Sequence, residues 1–213
     1  MTRNRTVSYG LLAVAVAGLG TVAVSNMQPR AAQAAATVGQ SAPSFSLKDT
    51  KGRTRTLAEF KGRYVVLEWL NHGCPFVKKH YGSSNMQKLQ RSARKQGVVW
   101  LSIASSAPGK QGHYNGAGAD AQTRSTKAAP SAVLLDASGK TGRAYGAKTT
   151  PHMFVINPKG SIIYNGAIDD KPSADQADVA GARNYVMAAL MEAKAGKKVS
   201  VPVTQPYGCS VKY

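Results

Sequence analysis

The stretch Val65-Val66-Leu67-Glu68-Trp69-Leu70-Asn71-His72-Gly73-Cys74-Pro75-Phe76-Val77-Lys78-Lys79-His80 decides the fold. From Arg63 to Leu70 the run is too apolar for a half-exposed strand and reads as a central strand buried on both faces. A short turn containing Gly73 follows. Cys74 then stands as N-cap and Pro75 as the first helical residue, where proline's fixed φ suits the backbone. This puts one thiol at a strand-to-helix junction, where the helix N-terminus favours thiolate over thiol. His72, two residues earlier, and Lys78, one turn later, are further candidate sources of positive potential. The plain alternative for Cys74 is a small buried core residue.

Working outward, Gly82-Ser83-Ser84 interrupts the helix. Ser84-Asn85-Met86-Gln87 matches a capping box that restarts it through to Lys95, before Gly97. Val98 to Ala104 is the next buried strand, which makes a β-α-β unit. Upstream, Ser44-Phe45-Ser46-Leu47 alternates, Asp49-Thr50-Lys51-Gly52 turns, and Thr54 to Phe60 returns as strand or short helix. Ser105 to Pro130 is long and polar, with a polar helix expected over Ala119 to Ala128; loops of that length are usually functional or disordered. Ala132 to Asp136 is a short strand, and Ser138-Gly139-Lys140 a turn.

Thr149-Thr150-Pro151 precedes a strand at Met153 to Ile156. Asn157-Pro158-Lys159-Gly160 turns it into a second strand at Ser161 to Tyr164, a hairpin. Val179, Ala182, Val186, Ala189, Leu190 and Ala193 at helical spacing predict a helix over Ser173 to Ala195, closed by Gly196. A tail with Pro202 and Pro206 leads to Tyr207-Gly208-Cys209. The order is α/β: a central mixed β-sheet flanked by helices, with an N-terminal extension and a C-terminal tail, and a proline just before the hairpin. That is the layout of the thioredoxin-like fold.

Residues 1–34 read as a targeting segment. Arg3 and Arg5 form a basic start, Gly10 to Val24 is apolar, and Ala32-Gln33-Ala34 supplies a small-x-small cleavage pattern. The expected organisation is a signal peptide over 1–34, a domain over 35–196 and a tail over 197–213 carrying Cys209. The expected location is periplasmic or secreted, with an uncleaved N-terminal anchor as the alternative. The 213-residue chain carries 28 Lys and Arg against 10 Asp and Glu, a formal charge of +18. The basic residues are dispersed rather than gathered in a tract, so an anionic envelope surface is a better match than nucleic acid. Two cysteines are too few for a disulfide scaffold but make one pair in an oxidising compartment.

Four blocks carry a resemblance to a known group: Gly39-x-x-Ala42-Pro43-x-Phe45, the segment from Asn71 to His80, Ser105-Ser106-Ala107-Pro108-Gly109, and Thr150-Pro151-His152-Met153-Phe154-Val155-Ile156. Across about Val38 to Asp170 the chain resembles the peroxiredoxin-like branch of the AhpC/TSA (redoxin) families. The resemblance implies a thiol-dependent oxidoreductase with Cys74 as the reactive thiol and Pro151 as a cis-proline facing it. Thr150 would then offer backbone to a substrate. Partners would be a thiol or disulfide protein, or a hydroperoxide as substrate.

The chain also departs from these patterns. Val77 stands where dithiol enzymes of this fold carry a second cysteine. Asn71 and Leu67 stand where peroxiredoxins carry a Thr or Ser and a Pro. Asn71 is expected to donate an amide hydrogen to a peroxide or to the thiolate. His152 is expected near Cys74, and Cys209 as a resolving cysteine, a static staple partner or a free thiol. Copper proteins of this fold use Cys-x-x-x-Cys, and Lys78 breaks that pattern, so no metal and no cofactor is expected. A non-catalytic binding module, for copper or a partner protein, is the alternative function. Glu68 reads equally as a proton relay or as an ion-pair partner. Trp69, Trp100, Phe154 and Tyr164 read as core or site-wall aromatics, and His80 and His113 as surface or structural.

Overall fold

The computed structural model describes residues 36–213; the targeting-segment expectation for 1–34 lies outside the described residues. Seven strands form one sheet in the order β2-β1-β5-β4-β3-β7-β8. They are β1 (Ser46–Asp49), β2 (Thr54–Thr56), β3 (Val65–Trp69), β4 (Val99–Ala104), β5 (Ala132–Leu135), β7 (His152–Ile156) and β8 (Ile162–Gly166). The β3–β4 and β4–β5 pairs are parallel, and the other pairings are antiparallel. A separate pair joins β6 (Thr149–Thr150) to β9 (Cys209–Ser210). Among the described residues, no helix is long and apolar enough to cross a membrane.

The period of two along β3 sorts its side chains onto two cores. Val65, Leu67 and Trp69 face a cluster with Phe45, Phe60, Leu101, Tyr145 and Phe154. Val66 faces a second cluster with Cys74, Val77, Trp100, Met153 and Val155. The second is covered by α1 (Pro75–Gly82), α2 (Asn85–Lys95) and α5 (Tyr185–Lys194). Both faces of β3 are therefore buried, as its continuous apolar run demands. Trp69, Trp100, Phe154 and Tyr164 are all fully buried.

Three expectations are corrected. Ser84 precedes α2, but its φ of 60° is left-handed and its side chain makes no cap bond, so no capping box forms. Gln87 instead donates to the Tyr81 and Thr126 carbonyls, tying α2 to its neighbours. The last helix begins at Tyr185, not Ser173. Asp169 bridges Asn184, the Arg183 N–H donates to Asp170, and Asn184 caps the helix by accepting from the Met187 N–H. Those tertiary bonds win over a helical pattern upstream, where Ala177–Gly181 forms only a 3-10 turn. A short helix, α4 (Lys140–Tyr145), follows the expected turn at Ser138; the Asp136 carboxylate accepts from the Thr141 and Gly142 N–H groups at its start. The long polar segment does hold a helix, α3, at Gly116–Ser125.

Candidate functional site

Cys74 sits at the end of β3, as N-cap of α1 with Pro75 behind it. The turn that delivers it is built by Asn71. The Asn71 carbonyl accepts from the Cys74 N–H at 2.9 Å, and its side-chain oxygen from the Gly73 N–H at 2.9 Å. Its amide nitrogen donates to the Gln111 backbone and side-chain oxygens. The expected amide for a peroxide or thiolate is thus already engaged: Asn71 shapes the loop.

Cys74 is 0% exposed. Its Sγ lies 3.0 Å from the Thr150 carbonyl oxygen and 2.8 Å from the Cys209 Sγ, and the Cys209 N–H points at it at 3.4 Å. Both cysteines are free thiols. The Thr150–Pro151 bond is cis, as the resemblance implied. What occupies Thr150 is the chain's own tail. Strand β9 runs antiparallel to β6 with Thr150 opposite Cys209 and Thr149 opposite Ser210. The close approach requires Gly208: its φ is 138°, and a Cβ there would fall 2.1 Å from the Thr150 carbonyl oxygen.

The electrostatics differ from expectation. Burial pushes the Cys74 thiol up, but hydrogen bonds from the Cys209 thiol and from the Cys209 and Val77 N–H groups outweigh it, so the net direction is down. Burial first, and then the Cys74 sulfur, push Cys209 up to about 11. The two sulfurs are therefore unequal, with the Cys74 thiol the more acidic of the pair. Neither His72 nor Lys78 drives this. Burial lowers His72 to about 4, so it is neutral at pH 7, and its ring packs on Tyr81 and Tyr114. Lys78 is exposed. His152 does not approach Cys74: both ring nitrogens are engaged, with the Lys148 N–H and Asn165, and it packs on Phe154 in the opposite core.

Several residues around the tail were not singled out from sequence. The Tyr207 hydroxyl donates to Asp169 and lies 3.2 Å from His80 Nε2, and its ring packs on Phe76. Lys79 is buried beside Asp169 and donates to the Lys171 carbonyl at 2.6 Å. Further along, the Val211 N–H donates to the Lys148 carbonyl, the Lys212 carbonyl accepts from the Ala107 N–H, and the Tyr213 hydroxyl donates to the Ala147 carbonyl. Tyr213 rests against Gly139 and Gly142 under the Arg143 guanidinium. Two tyrosines spaced around a Gly-Cys pair were the available signal.

Glu68 is neither free nor ion-paired. It is fully buried, and accepts from the Tyr81 hydroxyl, Gln90 amide, Trp100 indole and Ser102 hydroxyl. Burial raises its carboxyl, and these four donors pull it back only in part. His80 is buried in the Tyr207 cluster, while His113 is exposed. No group of three or more His, Cys, Asp or Glu side chains is gathered for a metal among the described residues.

A central sheet with a cysteine at the start of the first helix, facing a cis-proline loop, defines a thioredoxin-like protein. Residues 38–165 match the AhpC/TSA family, and the chain belongs to it. It is 25% identical over 163 residues to the thiol-disulfide oxidoreductase ResA of Bacillus subtilis, covering 76% of this chain and 83% of that protein. A hypothetical protein from Sinorhizobium meliloti superposes with a TM-score of 0.70 at 26% identity, covering 83% of this chain and 94% of the other. The thioredoxin domain of a thiol-disulfide oxidoreductase from Bacteroides vulgatus shares the fold, with a TM-score of 0.50 at 19% identity over 68% of this chain and 96% of that one.

Proposed function

We propose that this protein is an exported thiol–disulfide oxidoreductase whose redox pair is Cys74 and Cys209. The observation that carries this reading is the 2.8 Å approach of the two sulfurs, with the Cys209 N–H on the Cys74 sulfur. The Cys74 thiolate attacks one sulfur of a partner's disulfide. A Cys74–partner bond forms, the partner's S–S bond breaks, and the partner's other sulfur leaves as thiolate and takes up a proton. Cys209 then gives up its proton and attacks the Cys74 sulfur, releasing the partner's second thiol. The partner gains two electrons and two protons, and the Cys74–Cys209 disulfide is the oxidised product. Run backwards, the same steps oxidise a partner dithiol. The second attack needs the Cys209 thiolate, and forming the Cys74–partner bond removes the Cys74 charge that, after burial, raises the Cys209 thiol.

A hydroperoxide offers a second entry to the same pair. It would oxidise the Cys74 thiolate to a sulfenic acid with release of water or alcohol, and Cys209 would displace hydroxide as water to close the disulfide. Thiol exchange is favoured because the amide of Asn71 is held by Gln111. Export rests on the targeting pattern of residues 1–34, and N-terminal sequencing of secreted material should start near Ala35. An anionic envelope surface fits the basic groove of Arg63, Arg91, Arg94 and Lys95; binding to anionic vesicles should then weaken with salt.

The test is peptide mapping under non-reducing conditions after one equivalent of a small disulfide, and separately of hydrogen peroxide. The Cys74–Cys209 peptide pair is expected with the disulfide. Its absence, with both thiols intact, would refute the reading. If the pair forms only with peroxide, peroxide reduction replaces exchange.

A further inference from the structure

Thr150, the residue before the cis-proline, sets its backbone carbonyl 3.0 Å from the Cys74 sulfur. Here Thr150 is opposite Cys209 in an antiparallel pair, and the cysteine of the pairing strand meets Cys74. The tail therefore sits as an extended, cysteine-bearing segment docked for exchange. Its anchoring is selective in three ways. Gly208 passes so close to Thr150 that no side chain fits. Tyr207 fills a place between Phe76 and the Lys79, His80 and Asp169 cluster, with its hydroxyl on Asp169. Beyond the cysteine, Val211 continues the backbone pairing to Lys148.

We infer that Tyr207-Gly208-Cys209 is the internal template of the partner segment this site takes: an extended strand with glycine before its cysteine and an aromatic hydroxyl before that, which docks only when the tail lifts away. The inference rests on the proposed role of Cys74 as nucleophile, and it adds the partner's chemistry and its competitor. A partner cysteine preceded by any side chain meets the Thr150 carbonyl. A partner lacking the hydroxyl leaves Asp169 Oδ1 with only the Lys171 N–H as hydrogen-bond donor, while Oδ2 already has no hydrogen-bond partner. Because the tail occupies the same edge, docking of the partner strand and docking of the tail exclude each other, so Cys209 returns to the Cys74–partner bond only once the partner strand has left that edge.

The test uses the full-length Cys209→Ala protein and synthetic peptides of sequence Pro-Tyr-Gly-Cys-Ser-Val, blocked at both ends, with the cysteine carried as a thionitrobenzoate mixed disulfide. Attack by the Cys74 thiolate on the peptide sulfur forms the Cys74–peptide bond and expels the coloured thionitrobenzoate anion, which is read by absorbance. Replacing the peptide's glycine by alanine should slow this release about ten-fold or more, the scale of one misfitting carbon at a close-fitting site. Replacing its tyrosine by phenylalanine should slow it about five-fold. Adding Tyr213→Phe to the protein, which removes the hydroxyl on the Ala147 carbonyl, should speed the glycine peptide by about five-fold. Equal rates for the glycine and alanine peptides would overturn the template. No acceleration by Tyr213→Phe would overturn the competition with the tail. Failure of Cys74 to react with any peptide, or with free dithionitrobenzoate, would instead remove the nucleophile on which the inference stands.

Discussion

Gly208→Ala is the perturbation that most directly separates the tail's docking from the rest of the fold. The added methyl carbon would lie 2.1 Å from the Thr150 carbonyl oxygen, 2.8 Å from its carbon and 3.3 Å from the Pro151 nitrogen, on a φ of 138°. A non-glycine residue in that region carries about 1–3 kcal/mol of strain. Moving the strand out far enough to relieve the contact also weakens its backbone pairing to Thr150, at about 0.5–1.5 kcal/mol per bond. A reduced tail escapes part of this by lifting off, whereas a tail bonded to Cys74 cannot. The oxidised form should therefore lose roughly 2 kcal/mol relative to the reduced form, which for a two-electron couple is about 40 mV towards easier reduction. Equilibration with glutathione buffers, followed by acid quench and thiol labelling, measures the shift. Gly196→Ala is the control: its φ is 72°, but nothing lies within 4 Å of the added carbon, so its potential should match the parent protein's. If Gly208→Ala and Gly196→Ala leave the potential alike, the tail is not held where the disulfide forms, and the reasoning fails.

The remaining predictions concern charge and burial. Alkylation of reduced Cys74 by iodoacetamide should follow a pH midpoint below that of a free thiol, and Cys209→Ala should move that midpoint upward by deleting a donor; an unchanged midpoint would assign the stabilisation elsewhere. Glu68→Ala strands the Tyr81, Trp100 and Ser102 donors and opens a cavity. It should cost about 3–5 kcal/mol, read as a fall in Tm of about 10 °C. Glu68→Gln keeps an acceptor on that side and should cost about 1 kcal/mol; equal losses would show that the carboxylate's charge, not its geometry, holds the core. His72 and His152 are both lowered from 6.5 to about 4 by burial. Between those values the unfolded chain binds protons that the folded chain does not, so stability falls as pH falls. Each should withdraw about 3 kcal/mol by pH 4. Urea unfolding of His72→Gln should show a shallower pH dependence than the parent, and an identical one would contradict the assignment.

The parts legible in the sequence are those whose causes are local. The buried run of β3, the Pro75 start of α1 and the Asn157–Gly160 turn between β7 and β8 each carry their own signal within a few residues. The sites of the two sulfurs divide along the same line. Cys74 was legible because turn, cysteine and proline are adjacent; the seat of Cys209 was not, because its contacts come from Thr150 and a residue 135 positions away. The helix at Ser173 failed for a related reason: the spacing of Val179 and Ala182 suits a helix, but Asp169 and Asp170 hold Asn184 and Arg183 in another path. His72 carried the right position and the wrong sign, since a charge inferred from residue type is erased by burial. Asn71 was read for its amide, and only the neighbouring Gln111 shows where that amide goes.

The pairing of Thr150 with Cys209 closes a thermodynamic cycle. A bond between the two sulfurs would bridge a span of 135 positions, and in the chain-entropy picture so large a ring restricts the unfolded state by about 5 kcal/mol. Around the cycle, whatever the bond adds to the fold, the fold adds to the bond. The latch of Tyr207 on Asp169 and the seat of Tyr213 beneath Arg143 therefore act on two observables at once. Each weakening of the tail should lower the melting temperature of the oxidised protein and raise its reduction potential together, so the two measurements would check one another.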